Sequence, residues 1–306
     1  MGPNNIAVFD RRALRQRRDR AADRTGFGFL FEAAAERLAD RLEDVTRRFP
    51  VALELGCRGG LVAPRLAGRG GIERLVASDP SPRFAARAAA PRLAADPEFL
   101  PFAPASFDLI LGALALHWVN DLPGALLQLR RALRPDGLLL VSLLGGETLR
   151  ELRQAWMEAE LEEEGGVSPR VSPFADPRDL GGLLQRAGLA LPVVDSDRLT
   201  VTYPDALALM RDLRGMGESN AVAERRRRFT RRATLARAAA RYAAAFGRPD
   251  GRIAASFEIV TLTAWAPHDS QPKPLRPGSA RARLAEALGA AEHSAGDRAA
   301  PPADCG

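Results

Sequence analysis

The sequence predicts an α/β protein whose centre is a mostly parallel, doubly wound sheet. In the first half of the chain, short apolar segments alternate with segments whose apolar residues recur at helical spacing. A glycine-rich turn follows the first apolar segment, as in βα units whose backbone approaches a ligand closely. Near the end of the chain, residues 256–266 alternate apolar and polar side chains, which indicates a half-exposed antiparallel strand.

The first unit of this sheet predicts a site for an adenosine-containing cofactor. Residues 51–55 are an apolar strand, residues 56–60 the glycine-rich turn, and apolar spacing over 61–66 predicts a helix after it. The second strand, 75–77, leads to the acid Asp79. Glycines let backbone N–H groups approach a ligand, and an acid about 20 residues further on suits a pair of ribose hydroxyls.

The other elements extend this pattern along the chain. In order, the sequence predicts helices at 10–24, 31–45 and 81–90, strands at 92–95 and 107–111, a helix at 122–133, a strand at 138–143, helices at 147–164 and 176–188, a strand at 192–203, a helical region at 205–246 broken at 215–220, and the strand at 256–266. Dehydrogenases usually continue into a second nucleotide-binding half, whereas an antiparallel last strand is expected of the class I S-adenosylmethionine (SAM) methyltransferase fold.

We therefore predict a Rossmann-like, mostly parallel seven-stranded sheet with an antiparallel last strand and helical cap insertions. The predicted segments are an N-terminal helical arm at 1–48, a SAM-binding core at 49–146, helical cap insertions with the sixth strand at 147–250, the last strand at 251–267 and a disordered tail at 268–306.

Composition narrows the class of protein. The chain has 306 residues, 46% of them hydrophobic, which suffices for a full core. All but one of its 44 basic residues are arginine, a skew typical of GC-rich coding, so the net charge of +6 does not by itself indicate nucleic-acid binding. Two cysteines, Cys57 and Cys305, exclude a disulfide framework. We expect a bacterial cytoplasmic enzyme without a membrane span, and peripheral attachment at the inner membrane is left open.

Residues 54–60 resemble the acidic-first glycine motif of SAM enzymes. The resemblance implies that Glu54 lies near the methionine amino group, that Asp79 holds the ribose and that Asp96 lies near the adenine amino group. Arg58 departs from the pattern, because it stands where the family usually has its middle glycine. Either its side chain narrows the cofactor site or the local turn is shifted, with Gly59 one place late. The residues so assigned to the cofactor SAM are Glu54, Gly56, Gly60, Asp79 and Asp96.

Four uncommon strings carry a narrower resemblance. They are AVFDRR near the start, LHWVNDLPGAL at 116–126, EGGVSPRVSPF at 164–174 and RGMGESNA at 214–221. Together they resemble the methyltransferase-fold assembly factors of respiratory complex I, over roughly residues 7–275. The resemblance implies hydroxylation of an arginine on the complex I subunit that carries the terminal iron–sulfur cluster.

The substrate site is expected beyond the fourth strand, since ligands bind at the carboxyl ends of parallel strands. His117 either is a packed histidine with backbone partners or borders the reaction, with a possible acid–base role. Trp118 and Asn120 accompany it as candidate substrate contacts. Glu160 and Glu164 belong either to a solvated helix face or to an acidic wall that attracts a substrate arginine. The chain has three histidines, and two of them, His268 and His293, lie at or beyond the end of the predicted folded domain, so we expect no metal site.

Two segments have open interpretations. The arginine-rich stretch 10–24 is either a solvated helix or a basic arm that closes over a cofactor or docks on an acidic partner. The break at 215–220 is either a helix linker or a lid hinge at Gly215 and Gly217.

Three functions are consistent with these features. The first is SAM-dependent modification of a protein side chain, by methylation or by the hydroxylation that the resemblance implies. The second is methylation of a small molecule or carrier-bound acid, as in biotin synthesis. The third is an assembly chaperone that keeps a SAM fold only for binding, which Arg58 favours.

Overall fold

Seven strands form one sheet in the computed structural model, which describes residues 7–272 and 284–291. The strands are β1 (Val51–Leu55), β2 (Arg74–Asp79), β3 (Arg92–Ala94), β4 (Phe107–Gly112), β5 (Leu133–Leu144), β6 (Ala190–Tyr203) and β7 (Ile253–Trp265). Their order in the sheet is β3-β2-β1-β4-β5-β7-β6. Strands β1 to β5 pair in parallel, and β7 runs antiparallel to both β5 and β6. The predicted fold class is confirmed.

The described residues form nine α-helices. They are α1 (Arg11–Ala22), α2 (Phe29–Glu43), α3 (Pro82–Arg87), α4 (Leu122–Ala132), α5 (Arg150–Glu164), α6 (Pro177–Arg186), α7 (Ala206–Met216), α8 (Arg232–Phe246) and α9 (Leu284–Leu288). Asp side chains cap several of them; Asp10, for example, accepts from the Ala13 amide at the start of α1. Among the described residues, no helix combines the length and the apolar character needed to cross a membrane.

The strands divide the core into two apolar clusters. Along β4, Leu109 and Leu111 belong to the cluster that includes α2, α5, α7 and α8, whereas Ile110 belongs to the cluster that includes α4 and α6. Because successive strand side chains point to opposite faces, this alternation places the two clusters on opposite sides of the sheet. The candidate site lies at the carboxyl ends of β1, β2 and β4, where Glu54, Asp79 and His117 are found.

Two predictions require correction. The helix predicted after the glycine turn is only a short 3₁₀ helix, Ala63–Leu66, because Pro64 occupies its first turn and Gly68, at φ +76°, lies just beyond its end. The tail predicted to be disordered at 268–306 contains the described helix α9, and its residues 273–283 and 292–306 lie outside the described residues.

Candidate functional site

The glycine turn and the carboxylate of Asp79 are in direct contact. The turn begins with Gly56 at φ +67°, where an added Cβ would lie 3.1 Å from the Ala115 side chain, so glycine is required. Arg58 keeps the left-handed backbone of a glycine, with φ +45°, and its amide donates to Asp79 Oδ2 at 3.0 Å. The turn therefore accommodates an arginine at this position, with its amide bonded to Asp79.

Asp79 is already paired with an arginine of the N-terminal arm. Arg18 Nη2 lies 2.7 Å from Asp79 Oδ2, and its Nε lies 3.3 Å from Oδ1. Both residues are buried, with exposed fractions of 3% for Arg18 and 0% for Asp79. Burial opposes the charge on Arg18, yet Asp79 raises the pKa of Arg18 above its usual value. A cofactor ribose can reach this carboxylate only if the guanidinium leaves.

A second arginine of α1, Arg11, is paired with Asp96, the acid predicted to lie near the adenine. Arg11 forms an ion pair with Asp96 and donates to the Trp118 carbonyl at 2.6 Å. Arg11 and Arg18 are seven residues apart, which is about two helical turns, so they lie on the same face of α1. Two interpretations were given for the stretch 10–24. Arg11 and Arg18 agree with a basic arm that covers the predicted cofactor residues, whereas the exposed Arg12, Arg15 and Arg20 agree with a solvated helix face.

The Arg58 side chain joins a buried network around Glu218. Its guanidinium carbon lies 3.5 Å from the centroid of the Phe31 ring, and its Nη1 donates to Glu218 Oε1 at 3.2 Å. Burial, with the neighbouring Arg18 charge, lowers the pKa of Arg58 to about 9, which leaves it charged at neutral pH.

His117 and Trp118 complete the network from the other side. His117 Nε2 lies 2.9 Å from Glu218 Oε2, and Trp118 Nε1 donates to the same oxygen at 2.6 Å. Burial alone would raise the pKa of Glu218, but His117, Arg58 and Arg18 lower it to about 2. Glu218 is therefore ionised at neutral pH and is the shared acceptor of this cluster.

Glu54 has a different environment. Its Oε1 accepts from the Val62 amide at 2.9 Å, whereas Oε2 is buried and has no hydrogen-bond partner among the residues that the structure describes. Burial, with the nearby Asp79 charge, raises the pKa of Glu54 to about 7. A buried carboxylate oxygen without a donor suits a cationic amine, so this end of the site fits the cofactor's amino group.

This raised pKa predicts a pH-dependent stability. The folded-state pKa lies above the ordinary 4.5, so the protonated form contributes stability below pH 4.5 that is lost as the pH rises to about 7. Relative to Glu54→Gln, the wild type should lose roughly 3 kcal/mol of unfolding free energy across this window. Urea denaturation at several pH values measures it, with exposed Glu73→Gln as the control. Parallel pH profiles for the wild type and Glu54→Gln would contradict it.

A pocket of about 290 Å³ opens beside the Glu218 network. Trp118 and Glu218 line it together with Trp156 and two segments distant in sequence, 169–174 and 213–220. The arginines in its lining are Arg17, Arg170, Arg214, Arg225 and Arg226. Within the described lining, Glu218 is the one carboxylate, so the charged groups around the pocket are mostly cationic.

The predicted substrate contacts are distributed unevenly. Trp118 lines the pocket, and His117 lies behind it, bonded to Glu218. Asn120 is not in the lining; its Oδ1 accepts from the Phe9 amide at 2.7 Å and its Nδ2 donates to the Phe9 carbonyl at 3.2 Å. Asn120 therefore fastens the N-terminal arm in this arrangement.

The two glutamates predicted to form an acidic wall, Glu160 and Glu164, are each paired with an arginine. Glu160 is buried, and Arg170 Nε donates to it at 2.6 Å. Glu164 forms an ion pair with Arg226 and accepts from Thr234 Oγ1 at 2.7 Å. Neither glutamate belongs to the pocket lining, so each orients a lining arginine and presents no free negative charge to the pocket.

The glycines of the 215–220 break are tightly packed against the arm. A Cβ on Gly215 would lie 2.2 Å from the Phe27 ring, and one on Gly217 would lie 3.0 Å from Ala21. Gly217 also has φ +81°, the left-handed conformation that ends α7. Close packing and helix termination therefore account for both glycines, and they place Glu218 in the network.

Two residues that the sequence left unassigned are central here. Arg18 was one of many arginines in the stretch 10–24. The available signal was its spacing of seven residues from Arg11, which places both on the same face of a helix. Glu218 lay inside the string RGMGESNA, whose rarity was the signal, but nothing in the string distinguished a buried acceptor from a loop residue.

Comparison with known proteins agrees with this architecture. A family described as a methyltransferase domain matches residues 53–141. The chain is 44% identical to the mitochondrial arginine-hydroxylase NDUFAF5 of Danio rerio, over 91% of this chain and 89% of that protein. The chain belongs to the NDUFAF5 arginine-hydroxylase family. SAM is the cofactor of the class I methyltransferase superfamily that contains this family, which confirms the cofactor prediction.

One further relative and one solved structure are similar to this NDUFAF5-family protein. It is 37% identical to a malonyl-[acyl-carrier protein] O-methyltransferase of Halorhodospira halophila, over 87% of this chain and 91% of that protein. A Bacillus halodurans structure described as a methyltransferase superposes with a TM-score of 0.53 at 16% identity, covering 77% of this chain and 100% of that one. The second similarity concerns the fold alone.

Proposed function

We propose that this protein is a SAM-dependent enzyme that modifies an arginine side chain of a protein substrate, the complex I subunit that carries the terminal iron–sulfur cluster. One observation carries the proposal: three of the family-like strings, at 116–126, 164–174 and 214–221, are far apart in sequence but meet in the lining of one pocket. Residues that resemble the arginine-hydroxylase family thus converge where a substrate side chain would enter.

The cofactor residues have complementary tasks in this proposal. Glu54 receives the amino group, Asp79 the ribose hydroxyls and Asp96 the adenine amino group, once Arg18 and Arg11 have withdrawn. When bound, SAM supplies a methyl group on a positively charged sulfur. The chain itself needs to align the acceptor and exclude water.

The pocket offers an arginine substrate one ionised carboxylate and flat aromatic surfaces. Glu218 stays ionised because of the cations and donors around it, and Trp118 and Trp156 stand in the lining. Carboxylates, carbonyls and aromatic faces are the groups that recognise a guanidinium. Glu160 and Glu164 act indirectly, by holding Arg170 and Arg226 at the rim.

A second candidate is methylation of a carboxylate on a small or carrier-bound acid. The observation that favours it is the excess of arginines in the pocket lining, among which the exposed side chain of Arg214 has no hydrogen bond or ion pair within the described part of the chain. Such cations suit an anionic substrate. The similarity to the malonyl-carrier methyltransferase points in the same direction.

Mass spectrometry of complex I distinguishes these candidates. In a strain that lacks the gene, the arginine of the terminal iron–sulfur subunit should lose a modification that returns when the wild-type gene is restored. A gain of one oxygen atom identifies hydroxylation, and a gain of one methylene unit identifies methylation. An identical subunit in both strains contradicts the proposal, and SAM-dependent methylation of malonyl-carrier protein by the purified protein would favour the second candidate.

A further inference from the structure

A basic loop with an exposed aromatic tip borders the pocket. Residues 225–232, with the sequence RRRRFTRR, connect the α7 region to α8. The side chain of Phe229 is fully exposed, at 100%. A single exposed apolar ring is ordinary on a protein surface, but Phe229 stands among arginines, and aromatic and arginine side chains are both enriched at the centres of protein interfaces.

The base of this loop is held firmly against the body. Arg225 Nη2 donates to Asp10 at 2.9 Å, and Arg226 forms its ion pair with Glu164. Further along, Thr230 Oγ1 accepts from Arg170 Nη1 at 2.8 Å. These contacts fix where the loop leaves and rejoins the structure, so its tip is presented in a defined place.

The arginines near the tip are exposed, and Arg227 and Arg231 act on Asp10 and Glu164 only through their charges. Within residues 7–272 and 284–291, no hydrogen bond or ion pair is formed by the side chains of four exposed loop arginines. They are Arg227, Arg228, Arg231 and Arg232. Arg214, in the pocket lining, is exposed in the same way. Exposed arginines therefore lie both on the loop and, at Arg214, in the pocket lining, which also contains Arg225 and Arg226 in their ion pairs with Asp10 and Glu164.

We propose that this loop binds an acidic segment of the substrate protein, next to the residue that enters the pocket. Arginine pairs bidentately with carboxylates, and Phe229 would pack on an apolar residue of the same segment. The proposal rests on the proposed function, because it assumes that a protein side chain is delivered to this pocket.

A protein segment suits the geometry better than an anionic bilayer does. The basic surface adjoins a concave pocket, and a protein chain can enter the pocket while it contacts the loop. A lipid surface would meet only the convex tip. The orientation of the loop, fixed by Asp10 and Glu164, also favours a partner that docks in one register.

Binding of a fluorescent oligoglutamate peptide at low salt tests the surface directly. The triple variant Arg227→Gln/Arg228→Gln/Phe229→Ser should bind this peptide about fivefold or more weakly than the wild type, because it loses the ion pairs of two arginines with the peptide carboxylates. The control Arg131→Gln/Arg186→Gln removes the same charge from α4 and α6, on the opposite face of the sheet, and should bind like the wild type. Equal binding by the triple variant and the wild type overturns the proposal.

Two further measurements separate the alternatives. With the complex I subunit as substrate, the triple variant should raise KM and leave kcat unchanged, because the altered residues lie outside the pocket lining. Phosphatidylglycerol vesicles that bind through the loop, without any binding of oligoglutamate, overturn the proposal in favour of a membrane surface. If the wild type binds oligoglutamate through the loop but never modifies the subunit, the proposed function fails and the acidic-segment surface stands.

Discussion

Replacing Asp79 with alanine should lower the free energy of unfolding by about 3–5 kcal/mol and abolish SAM binding. Loss of the carboxylate leaves Arg18, only 3% exposed, as a buried and unpaired cation, and breaking a buried ion pair from one side is strongly destabilising. The amides of Arg58 and Ser81 also lose their acceptor. Denaturant unfolding and calorimetry with SAM measure the two effects.

A neutral pair provides the control for this prediction. In Arg18→Gln/Asp79→Asn no charge is left unpaired, so most of the stability should return while SAM binding stays weak. Arg18→Gln alone should bind SAM more tightly than the wild type, since it removes the group that competes for Asp79. Should Asp79→Ala unfold at the wild-type denaturant midpoint, the buried pair does not stabilise the arm as described.

Replacing Glu218 with alanine should cost a similar 3–5 kcal/mol, through a different set of groups. Arg58 would lose its buried counter-charge, and Trp118 and His117 would lose their shared acceptor. Glu224→Ala, at an exposed glutamate of the same loop, is the matched control and should change stability by at most about 0.5 kcal/mol. Similar losses in both variants would show that the network is unimportant.

The pH dependence of the Glu218 network has the opposite sign to that of Glu54. The folded-state pKa of Glu218, about 2, lies below the ordinary 4.5, so its stabilisation is present above pH 4.5 and is lost as the pH falls towards 2. The wild type should therefore become more acid-sensitive than Glu218→Gln between these values. Acid titrations of both proteins, followed by tryptophan fluorescence, measure this difference.

The order of the elements could be predicted from the sequence because it depends on local patterns. Strand β1 has the predicted bounds, and the antiparallel last strand is confirmed. The prediction that this strand is half exposed is wrong, because β7 lies between β5 and β6 and is buried along most of its length. Glu54 and Asp79 lie at the ends of buried strands, as their positions in the motif required. Periodicity and turn chemistry act over a few residues, and a single sequence displays both.

The partners of the charged residues could not be predicted in this way. Forty-three arginines in one chain look alike in sequence, since Lys273 is the single lysine among 44 basic residues. Only the packing of α1 across the strand ends selects Arg18 for Asp79 and Arg11 for Asp96. The same holds for Glu160, whose place in a glutamate-rich helix suggested exposure but whose side chain is buried against Arg170.

The sequence by itself thus determined the fold, the cofactor class and the family, because short-range patterns and uncommon strings survive without coordinates. Only the tertiary structure decided that Asp79 and Asp96, the acids predicted to bind the cofactor, are paired with Arg18 and Arg11. It also decided that Glu218 is the shared acceptor of the buried network and that the pocket lining is mostly cationic. The physical reason is that an ion pair depends on the distance between two side chains. The ion pair Arg18–Asp79 joins residues 61 positions apart in sequence, and Arg58–Glu218 joins residues 160 positions apart.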